Sequence, residues 1–235
     1  MVPMTRFMQS GSLRTKFWEA EVDVIQRLWP LLFEGMGTTF SVFAMTLIFS
    51  LPLSLLVAMA RLSKNKIISK ITEFYIYLMR ATPLLLQLMF VFFGLPMVPV
   101  IGVTLGRFTA IYFAFVLNYT AYFAEIFRGG IQSIDPGQWE GAKVLGFSKA
   151  FTFRKIIFPQ VLSNVMPSIS NEVITLVKDT SLVYILGVMD ILKAAKSVSN
   201  SMSTILPYLY VGVIYLIVVA ILTRILESIE NKVRS

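Results

Sequence analysis

Of 235 residues, 56% are hydrophobic and only 14% charged, and the mean hydropathy of +0.74 is too high for a water-soluble domain of this size. The chain therefore belongs in a bilayer, as an all-α polytopic membrane protein. Cysteine and histidine are absent, which excludes disulfides, thiolate or imidazole metal sites, Cys or Ser-His nucleophiles and a histidine proton relay, so no metal site is expected. The formal charge of +8 is carried by Lys and Arg beside apolar runs, where anionic headgroups and orientation account for it. No basic-aromatic patch stands outside those runs, so nucleic acid is not an expected partner.

In chain order, Met1–Trp29 lacks an unbroken apolar core and a small-residue cleavage pattern, and is read as retained. Residues 1–33 form an N-terminal segment in which Phe17–Leu28 suits an amphipathic helix on the membrane surface. A hydrocarbon core of about 30 Å needs about 20 apolar helical residues, and Thr38–Ala60 supplies 23 without a charge. Four further spans are predicted over Glu73–Leu95, Phe108–Ile126, Val161–Val188 and Pro207–Leu226. These make one transmembrane domain over 34–230, followed by a tail at 231–235. There is no fixed-period repeat.

Five spans put the termini on opposite sides of the membrane. Lys and Arg number 4, 5 and 3 in Arg61–Lys70, Arg128–Lys155 and the stretch from Arg224, twelve in all. The N-terminal segment, Gly94–Arg107 and Asp190–Leu206 hold 4, 1 and 2, seven in all. The richer side is predicted to be cytoplasmic, which places the C-terminus and the 127–160 loop there.

That loop carries Asp135-Pro136-Gly137-Gln138-Trp139-Glu140-Gly141-Ala142-Lys143-Val144-Leu145-Gly146, then Ile156 and Pro159. Asp135 suits a helix cap, Pro136 the first helical position where no donor is lost, and Gln138 the return partner of a capping box. Gly146 stands where a left-handed C′ residue is expected. Ser148 suits the cap of a second helix reaching Phe158 before Pro159 interrupts it. Trp139 and Leu145 are read as apolar anchors of a docking patch rimmed by Glu140 and Lys143.

The spacing Glu140-Gly141-Ala142, Gly146, Ile156, Pro159 resembles the signature of the membrane subunits of bacterial ABC importers, with Gly141 where Ala is usual and Phe158 where Leu is usual. Arg80-Ala81-Thr82-Pro83-Leu84-Leu85-Leu86-Gln87, with Ala81 in place of a commoner Gly, resembles the second span of the polar-amino-acid subfamily. Pro159-Gln160, Pro167, Asn171-Glu172 and Lys178-Asp179-Thr180-Ser181-Leu182 resemble its fourth. The resemblance implies a type I importer transmembrane domain with a cytoplasmic coupling helix, in the bacterial cytoplasmic membrane. It also implies a second permease subunit, two ATPase subunits that use ATP and Mg, an extracytoplasmic amino-acid-binding protein and an amino acid substrate. Asp135, Pro136, Trp139, Glu140, Gly141, Ala142, Leu145 and Gly146 would then couple to the ATPase. This chain has no Gly-x-x-x-x-Gly-Lys-Ser/Thr, so it is expected to bind no cofactor and to hydrolyse no ATP.

Ionisable groups at membrane depth cost about 2.5–3.5 kcal/mol each on the insertion scale and pair or line a wet cavity. Glu172 and Asp179, seven residues apart, share a helix face, with Lys178 about 100° round. Two readings stand. In one, Glu172, Asp179 or Asn171 meets a substrate α-amino group and Lys178, Thr180 or Ser181 its carboxylate. In the other, a lysine-carboxylate cluster neutralises itself at a packing interface. Arg80 is read as snorkelling to phosphates, although with Gln87 it also joins the candidate pathway. Pro52, Pro83 and Pro167 are candidate kinks, and Trp29, Tyr75, Tyr119, Tyr122 and Tyr208 fit interface belts. The rival function is an ion- or proton-coupled carrier using Glu172 and Asp179, into whose inverted halves five spans divide badly.

Overall fold

The computed structural model describes residues 5–99 and 102–234. Its helices are α1 (Thr5–Arg61), α2 (Lys66–Ala81), α3 (Leu84–Met89), α4 (Arg107–Gln132), α5 (Pro136–Val144), α6 (Lys149–Phe151), α7 (Phe158–Asp179), α8 (Ile191–Met202) and α9 (Leu206–Arg234). A π-turn, Phe90–Gly94, follows α3, and another, Thr152–Ile157, joins α6 to α7. 3-10 turns follow at Leu95–Met97 and Thr180–Leu186.

Among the described residues three helical stretches are long and apolar enough to cross a membrane: Trp18–Arg61, Arg107–Gln132 and Leu206–Val233. Lys66–Ala81 with Leu84–Met97 makes a fourth if that pair, bent by 105°, is one span. The predicted fourth span corresponds to α7, whose 22 residues are long enough at 1.5 Å each. Ser163, Asn164, Ser168, Asn171, Glu172 and Lys178 keep it more polar than the others, and its buried face is the apolar row Val161, Val165, Ile169 and Val173. Its helix stops at Asp179, nine residues before the predicted end at Val188, and the chain continues in 3-10 turns.

The chain divides into two compact units. One takes the chain up to Phe40 with Thr180–Val218, the other Ser41–Asp179 with the chain from Val219 onward. In the first, Val24, Leu28 and Leu32, one turn apart along α1, bury against Ile191, Ala194, Ala195 and Val198 of α8 and Val211 of α9. The boundary expected at residue 33 is thus not a break: α1 is continuous, and Val24 and Leu28 face protein. Asp190 and Leu206 bracket a helix rather than a plain loop, because the fully buried Asp190 caps α8 by accepting from the N–H groups of Leu192 (3.1 Å) and Lys193 (3.0 Å). Burial pushes its carboxyl above the usual range. Gly35 meets this cap so closely that a Cβ would lie 2.5 Å from the Asp190 carbonyl carbon.

In the second unit α4 packs against α2, α3 and α7. Ala110, Ala114, Ala121, Ala124 and Gly130 are buried on α4, and such small residues let helices approach in a membrane. At Gly130 a Cβ would stand 2.2 Å from Val165 Cγ1 of α7. Ser41 of α1 and Tyr112 of α4 share a 2.7 Å hydrogen bond. Arg61 closes the α1–α2 turn by pairing with Glu73 at 2.9 Å and donating to Ser69 Oγ at 2.7 Å. The stretch 231–234, expected as a separate tail, continues α9.

Candidate functional site

The 127–160 loop begins inside α4 and holds a rigid two-helix protrusion. Asp135 caps α5 by accepting from the Gly137 N–H at 2.7 Å, with Pro136 at its first position. At the other end Gly146 takes φ +78°. Its N–H donates to Lys143 O at 3.0 Å, and the Phe147 N–H donates to Ala142 O at 3.0 Å. Those two bonds are a Schellman cap, which needs a left-handed residue at this place. Ser148 then caps α6, accepting from the Phe151 N–H at 3.3 Å.

Three expectations for this loop change. Gln138 Oε1 accepts from Gln160 Nε2 at 3.4 Å instead of making the return bond of a capping box. The second helix does not end before Pro159: helical geometry runs on through α7. In the π-turn the Phe158 N–H donates to Phe153 O, so the register shifts just ahead of Pro159, which lies near the start of α7 with little to disrupt. Trp139 is half-buried, its ring 6.5 Å from Phe153 in a stacked arrangement, and so braces α5 against the following segment. Glu140, Gly141 and Lys143 are exposed, and Ala142 is buried at 3% exposure. The outward apolar surface comes from Leu145 (72% exposed) with Val144 (86%), Phe147 and Phe151. Sequence reasoning passed over the last three because helical periodicity alone does not say which side of a short surface helix is covered.

The second cluster lies on α2, α4 and α7. Tyr119 is buried and its hydroxyl donates to Asp179 Oδ2 at 2.8 Å, tying α4 to the end of α7. Glu172, two turns before, is half-buried, whereas Asn171 and Lys178 are exposed. Thr180 is buried and Ser181 half-buried in the turns that follow, which belong to the other unit. Arg80 is exposed, and its guanidinium stands 5.5 Å over the Tyr122 ring and 3.9 Å from Glu125 Oε1. Glu125 is held more firmly by Arg128, at 2.9 and 2.5 Å. Tyr75, expected in an interface belt, donates to Leu117 O at 2.6 Å. Tyr119 and Tyr122, expected there too, work inside the protein. Their three-residue step, continued by Glu125 on one face of α4, was the available signal.

Gln87 belongs to a different task. Its Nε2 donates to Met79 O (2.9 Å), Thr82 O (3.1 Å) and Thr82 Oγ1 (2.8 Å), while its Oε1 accepts from Asn118 Nδ2 at 3.0 Å. Asn118 Nδ2 also donates to Met79 O at 3.1 Å. The amide expected to line a pathway is occupied by backbone at the α2–α3 break.

Residues 50–235 match the family described as binding-protein-dependent transport system inner membrane component. The chain is 35% identical over 207 residues to the arginine transport system permease protein ArtQ of Bacillus subtilis (strain 168), covering 88% of this chain and 94% of that protein. It is 31% identical over 218 residues to the nopaline transport system permease protein NocM of Agrobacterium fabrum, covering 89% and 90%. A crystal structure of an amino acid ABC transporter with histidines aligns with TM-score 0.78 and 31% identity over 86% of this chain and 94% of the other. The MetNI methionine ABC transporter shares the fold, with TM-score 0.68 at 16% identity. None of these relatives supports the ion-coupled carrier. With the family match over residues 50–235, the chain belongs to the binding-protein-dependent transport system inner membrane components.

Proposed function

We propose that this chain is the permease subunit of an ATP-driven amino acid importer, pairing with a second copy or a paralogue and resting on two ATPase subunits that bind and hydrolyse ATP with Mg. An extracytoplasmic binding protein delivers the amino acid. α5 and the C-terminus face the cytoplasm, in keeping with the twelve-to-seven distribution of Lys and Arg. The observation that carries the reading is α5 itself: a helix closed at both ends by its own caps, presenting Val144 and Leu145 with Glu140 and Lys143 around them. An apolar centre with a charged rim is the anatomy of a docking patch. Arg80 supplies a cationic group, and Asn171, Glu172, Lys178 and Asp179 supply polar groups to the substrate pathway. The names of the relatives, arginine and nopaline permeases, support a substrate of the amino acid class.

In proteoliposomes the reconstituted permease imports amino acid only with the ATPase subunits and ATP inside. Glu140→Arg and Leu145→Asp, both at exposed positions, are expected to weaken ATPase binding by about tenfold or more. Wild-type ATPase affinity in both variants refutes docking at α5, and uptake driven by an ion gradient without ATP refutes the importer.

A further inference from the structure

The break in the second membrane segment is made by a proline and covered by two amides from different helices. In an unbroken helix the Met79 carbonyl would accept from the N–H of residue 83, but Pro83 has none. An unsatisfied carbonyl in hydrocarbon costs several kcal/mol, so some donor has to cover it. Two do so. Gln87 reaches back from α3 at 2.9 Å, and Asn118, 4% exposed on α4, reaches across at 3.1 Å. Gln87 also covers Thr82 O, and its own oxygen accepts from Asn118.

The redundancy is what matters. Asn118 stands on α4 against the end of α2, so when α3 swings at the break and carries Gln87 away, Met79 O keeps a donor. Beside the break lies a groove of about 420 Å³ lined by apolar groups such as Leu78, Leu86, Phe90, Phe113 and Leu117. Packed interiors resist such movement; here Leu86, Phe90 and Phe113 are exposed and are not locked into a core. Arg80 sits two residues before the break, over Tyr122 of α4, so the angle at the break sets where that cation stands.

We propose that Asn118 and Gln87 form a releasable latch across the Thr82–Pro83 break, and that the bent segment hinges there between two states of the transport cycle, Asn118 and Gln87 acting as positioning residues for Arg80. The latch rests on the importer reading above. The chain has no cysteine, so Ile71→Cys with Phe93→Cys, both exposed and on opposite arms, gives a spin-label pair in the assembled transporter. The label separation is expected to differ between nucleotide-free and ATP-trapped states. Asn118→Leu leaves one separation in both states and lowers transport kcat roughly three- to tenfold, the range open to one interhelical hydrogen bond, with KM unchanged. Asn118→Gln, which keeps the donor, restores both readouts. A single separation in both states of a wild-type transporter that imports overturns the hinge. Two separations untouched by Asn118→Leu overturn the latch. A wild-type assembly that does not import with ATP refutes the importer reading and takes the latch with it.

Discussion

At the scale of single residues, the Tyr119–Asp179 bond is where a substitution separates the two readings of the polar cluster. A 2.8 Å hydroxyl-to-carboxyl contact inside the α4–α7 packing orients one carboxyl oxygen. If Asp179 meets substrate, Tyr119→Phe removes the orientation without opening a cavity, and transport KM is expected to rise by roughly three- to tenfold with the amount of folded protein unchanged. An unchanged KM with a lowered melting temperature assigns the pair to packing. Asp179 and Glu172 were readable as a shared face from their seven-residue spacing, but the partner was not. Tyrosine near a span end suits an interface belt as well as it suits a buried donor, and only the approach of α4 to α7 separates the two.

At the scale of elements, α5 is specified by local chemistry, which is why its caps were legible from the residues alone. Asp135 and Gly146 act on their own backbone neighbours, so no distant contact is needed to place them. Gly141 and Gly146 make opposite predictions. A Cβ at Gly141 meets nothing within 4 Å, and Gly141→Ala is expected to stabilise the protein by about 0.4–1 kcal/mol, chiefly by restricting the unfolded chain. Gly146 also has open space, but its φ of +78° makes Gly146→Ala cost about 1–2 kcal/mol. Thermal melts of the two variants in detergent check the signs, and a Gly146→Ala protein as stable as wild type contradicts the left-handed cap. The second helix was misjudged because Pro159 reads as a stop, whereas the π-turn before it shifts the register. Such wide turns carry no residue signature.

At the scale of the whole molecule, orientation is the property on which the docking proposal stands. Lys143→Cys, on the exposed face of α5 in an otherwise cysteine-free chain, is expected to react with a membrane-impermeant maleimide in inverted vesicles and not in intact cells. Reaction in intact cells places α5 outside, beyond any cytoplasmic ATPase. All five predicted apolar runs fall on helices; three are long and apolar enough to cross a membrane, a fourth is if the bent pair is one span, and the fifth, α7, is long enough but polar. Its apolar row Val161, Val165, Ile169 and Val173 is buried while Asn171 and Lys178 are exposed, so mean hydropathy alone describes it poorly.

Composition and local spacing were enough to establish that the chain crosses a membrane, where α5 begins and ends, and which family signature it carries, because each depends on residues within a turn or two of one another. The folded arrangement alone decided that α1 continues through residue 33 and buries Val24 against α8, that Trp139 turns inward, and that Gln87 serves the break at Pro83. Each of these depends on which helix comes alongside, and pairings of residues tens of positions apart leave no periodic trace in either sequence segment.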